Sequence, residues 1–112
     1  MKHTIGKNLT AGSANTIFTV PEGYKAEIEK VFIANLSASV KSVSAYWEQA
    51  DSTQIDVISS YSMPADSFIQ FFDGAIVFQA GDKLVITPEA GATQTTFVTF
   101  DLRKEAPINA FV

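Results

Sequence analysis

The fold is decided by the stretch Lys25-Ala26-Glu27-Ile28-Glu29-Lys30-Val31-Phe32-Ile33-Ala34-Asn35. Its first half alternates, with Ala26 and Ile28 on one face and charged residues on the other, the period of a strand half-buried in an antiparallel sheet. Carried forward, that period puts Lys30, Phe32 and Ala34 on the first face. Val31 and Ile33 then make the opposite face apolar too. Either the second half is covered on both sides, by another sheet or another subunit, or a bulge near Lys30 changes the facing. Both readings place the strand at the centre of a sheet.

Outward from this segment, turn signals recur about every ten residues, the rhythm of an all-β sandwich or barrel. Upstream, Ala11-Gly12-Ser13 separates a short strand near Thr4 to Leu9 from a second over Asn15 to Val20. Pro21-Glu22-Gly23-Tyr24 follows, where a fixed φ at Pro and a cheap positive φ at Gly predict a tight reversal and a hairpin. Downstream, Lys41 to Gln49 keeps a clean period of two, with Val43, Ala45 and Trp47 inward and Ser42, Ser44, Tyr46 and Glu48 outward. Ile55, Val57, Ser59 and Tyr61 alternate against Asp56, Ile58 and Ser60, and Met63-Pro64-Ala65-Asp66 breaks the pattern. Phe68 to Phe72 and Ala75 to Phe78 flank Asp73-Gly74, a dipeptide favoured in hairpin turns, and Pro64 to Phe71 leaves room for one helical turn. Lys83 to Thr87 ends at Pro88; Thr93 to Leu102 sets Phe97 and Thr99 opposite Val98, Phe100 and Leu102.

Composition agrees with this rhythm. Thr, Ile, Val, Phe, Tyr and Trp total 42 of the 112 residues against four Leu, an imbalance that favours pleated, half-buried surfaces over helices. The expectation is an antiparallel β-sandwich of about eight strands, jelly-roll or immunoglobulin-like, because a single open sheet leaves one apolar face wet. One domain over residues 1–105 and a C-terminal arm over 106–112, either folded back on its own domain or laid on a neighbouring subunit, complete the organisation. At this length a core holds without disulfide or metal staples.

Several function classes fall away. Eight scattered Lys and Arg against twelve Asp and Glu, with net charge −4, are a poor footprint for nucleic acid. The start lacks the apolar core of a signal peptide, and no run reaches the length of a membrane span, so no membrane partner is expected. The lone His3 sits too near the start of the chain to be held as a catalytic imidazole, and without Cys a zinc site lacks ligands. Asp51, Asp56, Asp66, Asp73 and Asp82 lie in or beside turns, where carboxylates cap backbone N–H groups. No catalytic residue, cofactor or metal ligand emerges; the chain reads as a non-enzyme.

What remains is an excess of apolar surface. Phe71 and Phe72, adjacent in a strand, point to opposite faces, and with Val31, Ile33 and Ile58 they exceed what one small sandwich hides. Ile108, Phe111 and Val112 add an apolar end. These eight residues are the candidate subunit interface of a homo-oligomer. Under an alternative reading, a carbohydrate-binding host-attachment module, Tyr46 and Tyr61 are the rings to stack on sugar.

The run Thr16-Ile17-Phe18-Thr19-Val20-Pro21-Glu22-Gly23, then Ala26 to Asn35, then Ala80-Gly81-Asp82-Lys83-Leu84, resembles small virion proteins of tailed bacteriophages. In that group a strand ending in T-V-P with a glycine turn is followed by a strand ending in Asn, and an A-G-D turn leads the penultimate strand. The resemblance implies a β-sandwich structural protein made in the host cytoplasm and carried in the virion. Its partners are then other virion proteins and copies of itself, at the tail or head-to-tail region (completion or fibre attachment), or alternatively on the capsid surface as a decoration protein.

Overall fold

The computed structural model describes residues 1–72 and 76–104, which form nine strands and no helix. They are β1 (Lys2–Asn8), β2 (Asn15–Thr19), β3 (Tyr24–Asn35), β4 (Lys41–Glu48), β5 (Gln54–Met63), β6 (Ser67–Phe71), β7 (Ile76–Phe78), β8 (Lys83–Pro88) and β9 (Gln94–Lys104). Sheet A runs β1-β9-β3 and is completed by β6 and β7, which both pair with β3; sheet B runs β2-β8-β4-β5. All the pairings are antiparallel.

The pairings are nested. Counting β6 and β7 as one interrupted strand, the first pairs with the last, the second with the next to last, and so inward to β4 with β5. A long hairpin wrapped in this way into two packed sheets is a jelly roll, which resolves the choice of sandwich left open by the sequence. Most connections therefore cross from one sheet to the other, and two expected hairpins are corrected. Pro21 to Tyr24 does reverse the chain, with Tyr24 N–H donating to the Pro21 carbonyl at 3.2 Å, but it carries it from β2 in sheet B to β3 in sheet A. β6 and β7 do not pair with each other; they lie end to end along β3, at Val31–Asn35 and Ala26–Ile28. Asp73 and Gly74 between them, and the arm at 106–112, fall outside the described residues. Ser67–Phe71 is a strand rather than a helical turn, because its backbone completes the ladder of β3.

The bulge anticipated near Lys30 is present. Ile28 stands opposite Phe100 and Lys30 opposite Thr99, so Glu29 has no partner across the ladder. One extra residue inverts the facing of everything after it. Ala26 and Ile28 before the bulge, and Val31, Ile33 and Asn35 after it, all point into the core at 0% exposure. Val31 and Ile33 are therefore core residues of a single chain and are removed from the candidate interface. Phe32 and Ala34, not they, occupy the outer face.

Sheet B supplies the opposing layer, with Ile17, Val43, Ala45, Leu84 and Ile86 buried and Trp47 packed behind them. Phe78 lies between Trp47 and Phe18, with ring centroids at 5.3 and 5.8 Å. Phe71 and Phe72 do not diverge as adjacent strand residues should. Phe72 takes a left-handed backbone (φ 57°), which breaks the alternation. Both rings pack half-buried against the core, edge to face at 5.2 Å. Ile58 is also half-buried against the core, on a strand with two register shifts against β4. These three are likewise corrected from free surface to core margin.

Buried polar side chains close the two ends of the sandwich. Asn35 Nδ2 faces the carbonyls of Ser39, Met63 and Pro64 at 3.0 to 3.3 Å, while its Oδ1 accepts from Ser37 N–H. Asp82 accepts from the N–H groups of Gln79 and Ala50. Val20 N–H donates to the Asp82 carbonyl and Gly81 N–H to the Val20 carbonyl, so the T-V-P and A-G-D turns hold each other. Gly81 has φ +86°, and a Cβ there would stand 2.8 Å from that of Ala50; only glycine fits. Asn35→Ala, which strips partners from buried backbone groups, is expected to lower unfolding free energy by about 2–3 kcal/mol in urea titration. A change within experimental error would contradict the clamp.

Candidate functional site

The outer face of sheet A is divided along its length. Lys2, Glu27, Glu29, Asp101 and Arg103 occupy one half and largely neutralise one another. Lys2 Nζ lies 2.7 Å from Glu29, and Asp101 accepts from the N-terminal ammonium at 2.8 Å and pairs with Arg103 at 3.0 Å. The hydrogen bond and charge of Glu29 raise the Lys2 ammonium above its ordinary pKa. The N-terminal ammonium, then Arg103, hold the Asp101 carboxyl below its own. These exposed pairs contribute little stability but satisfy the charges locally.

The other half is aromatic, bordered by the exposed Lys30 opposite Thr99. Register places Phe97 between Gly6 and Phe32, and Phe68 opposite Ala34. Phe32 and Phe68 approach with ring centroids at 6.3 Å. Phe68 is 68% exposed and Phe97 52%, although both belong to regular strands. With Thr4, Ala34 and Thr99 the three rings line an apolar hollow of about 490 Å³. Gly6 makes room for it: a Cβ there would lie 3.2 Å from the Phe97 ring. The surface is thus built by the bulge that turns Phe32 outward and by a glycine that lets Phe97 lie flat over β1.

Two other recesses are simpler. A slot of about 150 Å³ at the edge of the sandwich is walled by His3, Ile5, Phe18, Phe100 and Leu102. Here His3 stacks on Phe100 at 5.4 Å, so its ring is a packing element. A cleft of about 430 Å³ holds Trp47, Gln49, Asp51, Gln79 and Asp82, but its carboxylates are engaged by backbone N–H groups, Asp51 by Thr53 and Asp82 as above. The Thr53 hydrogen bonds hold the Asp51 carboxyl below its ordinary pKa. Among the described residues no group of three or more His, Cys, Asp or Glu is placed to hold a metal ion.

Of the interface residues chosen from sequence, Val31 and Ile33 are buried, Ile58, Phe71 and Phe72 border the core, and Ile108, Phe111 and Val112 lie outside the described residues. Tyr61 stands opposite Val43 and Tyr46 opposite Asp56, three rows apart along β4 or about 10 Å, so they form no stacked pair. Phe32, Phe68 and Phe97 were missed. The alternation of β9 already separated Phe97 from Val98 and Phe100, but only the register across three strands gathers the rings.

No family model and no curated protein matches this chain. Its fold is similar to a chain of the disulfide-linked pili that form Bacillus endospore appendages: TM-score 0.58, 15% identity, covering 95% of this chain and 87% of that one. A chain from infectious bursal disease virus, Gx strain, aligns over 88% of this chain and 30% of its own length, with TM-score 0.47 and 15% identity. At such identity the pilus likeness shows the shared fold. No helix among the described residues is long and apolar enough to cross a membrane.

The two kinds of phenylalanine separate by mutation. Phe68→Ser is expected to change unfolding free energy by less than about 0.5 kcal/mol. Phe78→Ser, which empties the stack between Phe18 and Trp47, should cost about 3–5 kcal/mol. Equal losses in chemical denaturation would place Phe68 in the core.

Proposed function

We propose that this chain is a non-enzymatic structural protein that repeats in a multi-copy assembly and meets its copies through the aromatic half of sheet A. The observation that carries the reading is the exposure of Phe68 and Phe97, beside Phe32, around a hollow lined by uncharged side chains. Burying apolar surface gains about 25 cal/mol per Å², so such a face is stabilised by any partner that covers it. The likeness to a pilus chain supports a fold suited to repetition. Those pili are disulfide-linked; this chain has no cysteine, so its contacts rest on non-covalent packing.

The setting drawn from the sequence resemblance is a tailed-phage virion, at the tail or head-to-tail region, with capsid decoration as the alternative. The T-V-P and A-G-D turns that carry much of the resemblance clamp the jelly roll shut, so they support the architecture more than the position. Binding of the pure protein to purified tails, and not to undecorated heads, is the result expected for the first setting.

Sedimentation velocity from micromolar to millimolar concentration tests the broader reading. The parent should gain mass with concentration, and a Phe68→Ser, Phe97→Ser double variant with an unchanged β circular-dichroism spectrum should not. A parent that stays monomeric throughout overturns it.

A further inference from the structure

The aromatic hollow and the sequence Ala106-Pro107-Ile108-Asn109-Ala110-Phe111-Val112 share a chemistry, since neither carries a charged side chain. Within one chain the segment reaches the near edge of the hollow at Thr99, five residues back from Lys104, but it cannot reach Phe68. Phe68 stands opposite Ala34, and Ala34 opposite Thr95, so Phe68 is level with a point nine residues back along β9 from Lys104, the last described residue. At about 3.3 Å per residue that is about 30 Å along the strand, with two strand spacings of about 4.8 Å to be crossed sideways as well. The eight residues 105–112 reach at most about 29 Å when fully straight. To return over the sheet they must first reverse, which takes at least about two of them. The shortfall is built into the strand lengths.

A second copy has no such limit. We infer that residues 106–112 of one copy dock on the outer face of sheet A of a neighbouring copy, with Phe111 seated against Phe68 and Phe97. This rests on the reading of the chain as self-associating and names the partner of that surface. The donating segment leaves from the Lys104 end of β9, whereas the accepting face lies toward the Gln94 end. Donor and acceptor are therefore different surfaces at opposite ends of one strand. Such a contact either repeats head to tail, into a ring or a filament according to the rotation per step, or is exchanged reciprocally within a two-fold dimer. Extended apolar segments laid on a neighbour's surface are an economical route to such repetition because one short sequence supplies the whole contact.

The absence of cysteine allows a clean test in the full-length chain. Phe68→Cys and Phe111→Cys proteins are mixed, oxidised under mild conditions and resolved without reductant, with Ser13→Cys replacing Phe68→Cys as background. Docking predicts the mixed disulfide in roughly tenfold excess over either homodimer and over background, because it raises the effective concentration of that pair. Predominance of the Phe68→Cys homodimer shows face packed on face and overturns the inference while leaving self-association standing. Closure of a Phe68→Cys, Phe111→Cys double variant within one chain at high dilution also overturns it. Cross-linking at background level, in a parent whose sedimentation still rises with concentration, refutes the docked segment alone; a parent that never associates refutes both.

Discussion

One unpaired residue organises this molecule. Glu29 is the extra residue between Ile28 and Lys30 in the ladder of β3 against β9, and without it the two halves of the longest strand would face opposite ways. With period two and no bulge, a chain that buries Ala26 and Ile28 must expose Val31 and Ile33 and bury Lys30. The bulge lets five inward positions, from Ala26 to Asn35, reach full burial, and it sends Phe32 outward to meet Phe97. Core and aromatic surface are two consequences of the same local event.

The neighbours of β3 adjust around that point. β7 pairs with it before the bulge and β6 after it, so the partner strand is interrupted where β3 is irregular. The clamps at the ends of the sandwich then hold a nested topology in which neighbours in sequence seldom pair. Asn35 gathers three carbonyls from two loops; Asp82 draws Gln79 and Ala50 together while its own carbonyl fixes Val20. Asn35 and Asp82 are satisfied by backbone groups of these loops, and loss of either side chain strips partners from several of those groups at once.

Much of this was legible in sequence, and the misreadings have physical causes. The clean alternation of Lys41 to Glu48 correctly turned Val43, Ala45 and Trp47 inward, and the β-branched excess gave the class. Turn chemistry at Pro21 to Tyr24 marked a reversal but not its destination, since a tight turn can join strands of one sheet or of two. Phe71 and Phe72 misled because a positive φ at a bulky residue is not visible in the residue names. The candidate surface was least legible: Phe32, Phe68 and Phe97 sit on three strands far apart in sequence, and only register makes them neighbours.

The result is a closed jelly roll with one aromatic half-face, ordered by its own strands and left uncovered by the described residues. Fluorine NMR with 4-fluorophenylalanine and a paramagnetic co-solute measures directly whether that half-face is the contact between copies. On passing from dilute to concentrated protein, the resonances of Phe68 and Phe97 should lose their broadening by the co-solute while that of buried Phe78 stays unbroadened. Phe68 and Phe97 resonances that remain as accessible in concentrated protein as in dilute would contradict the account.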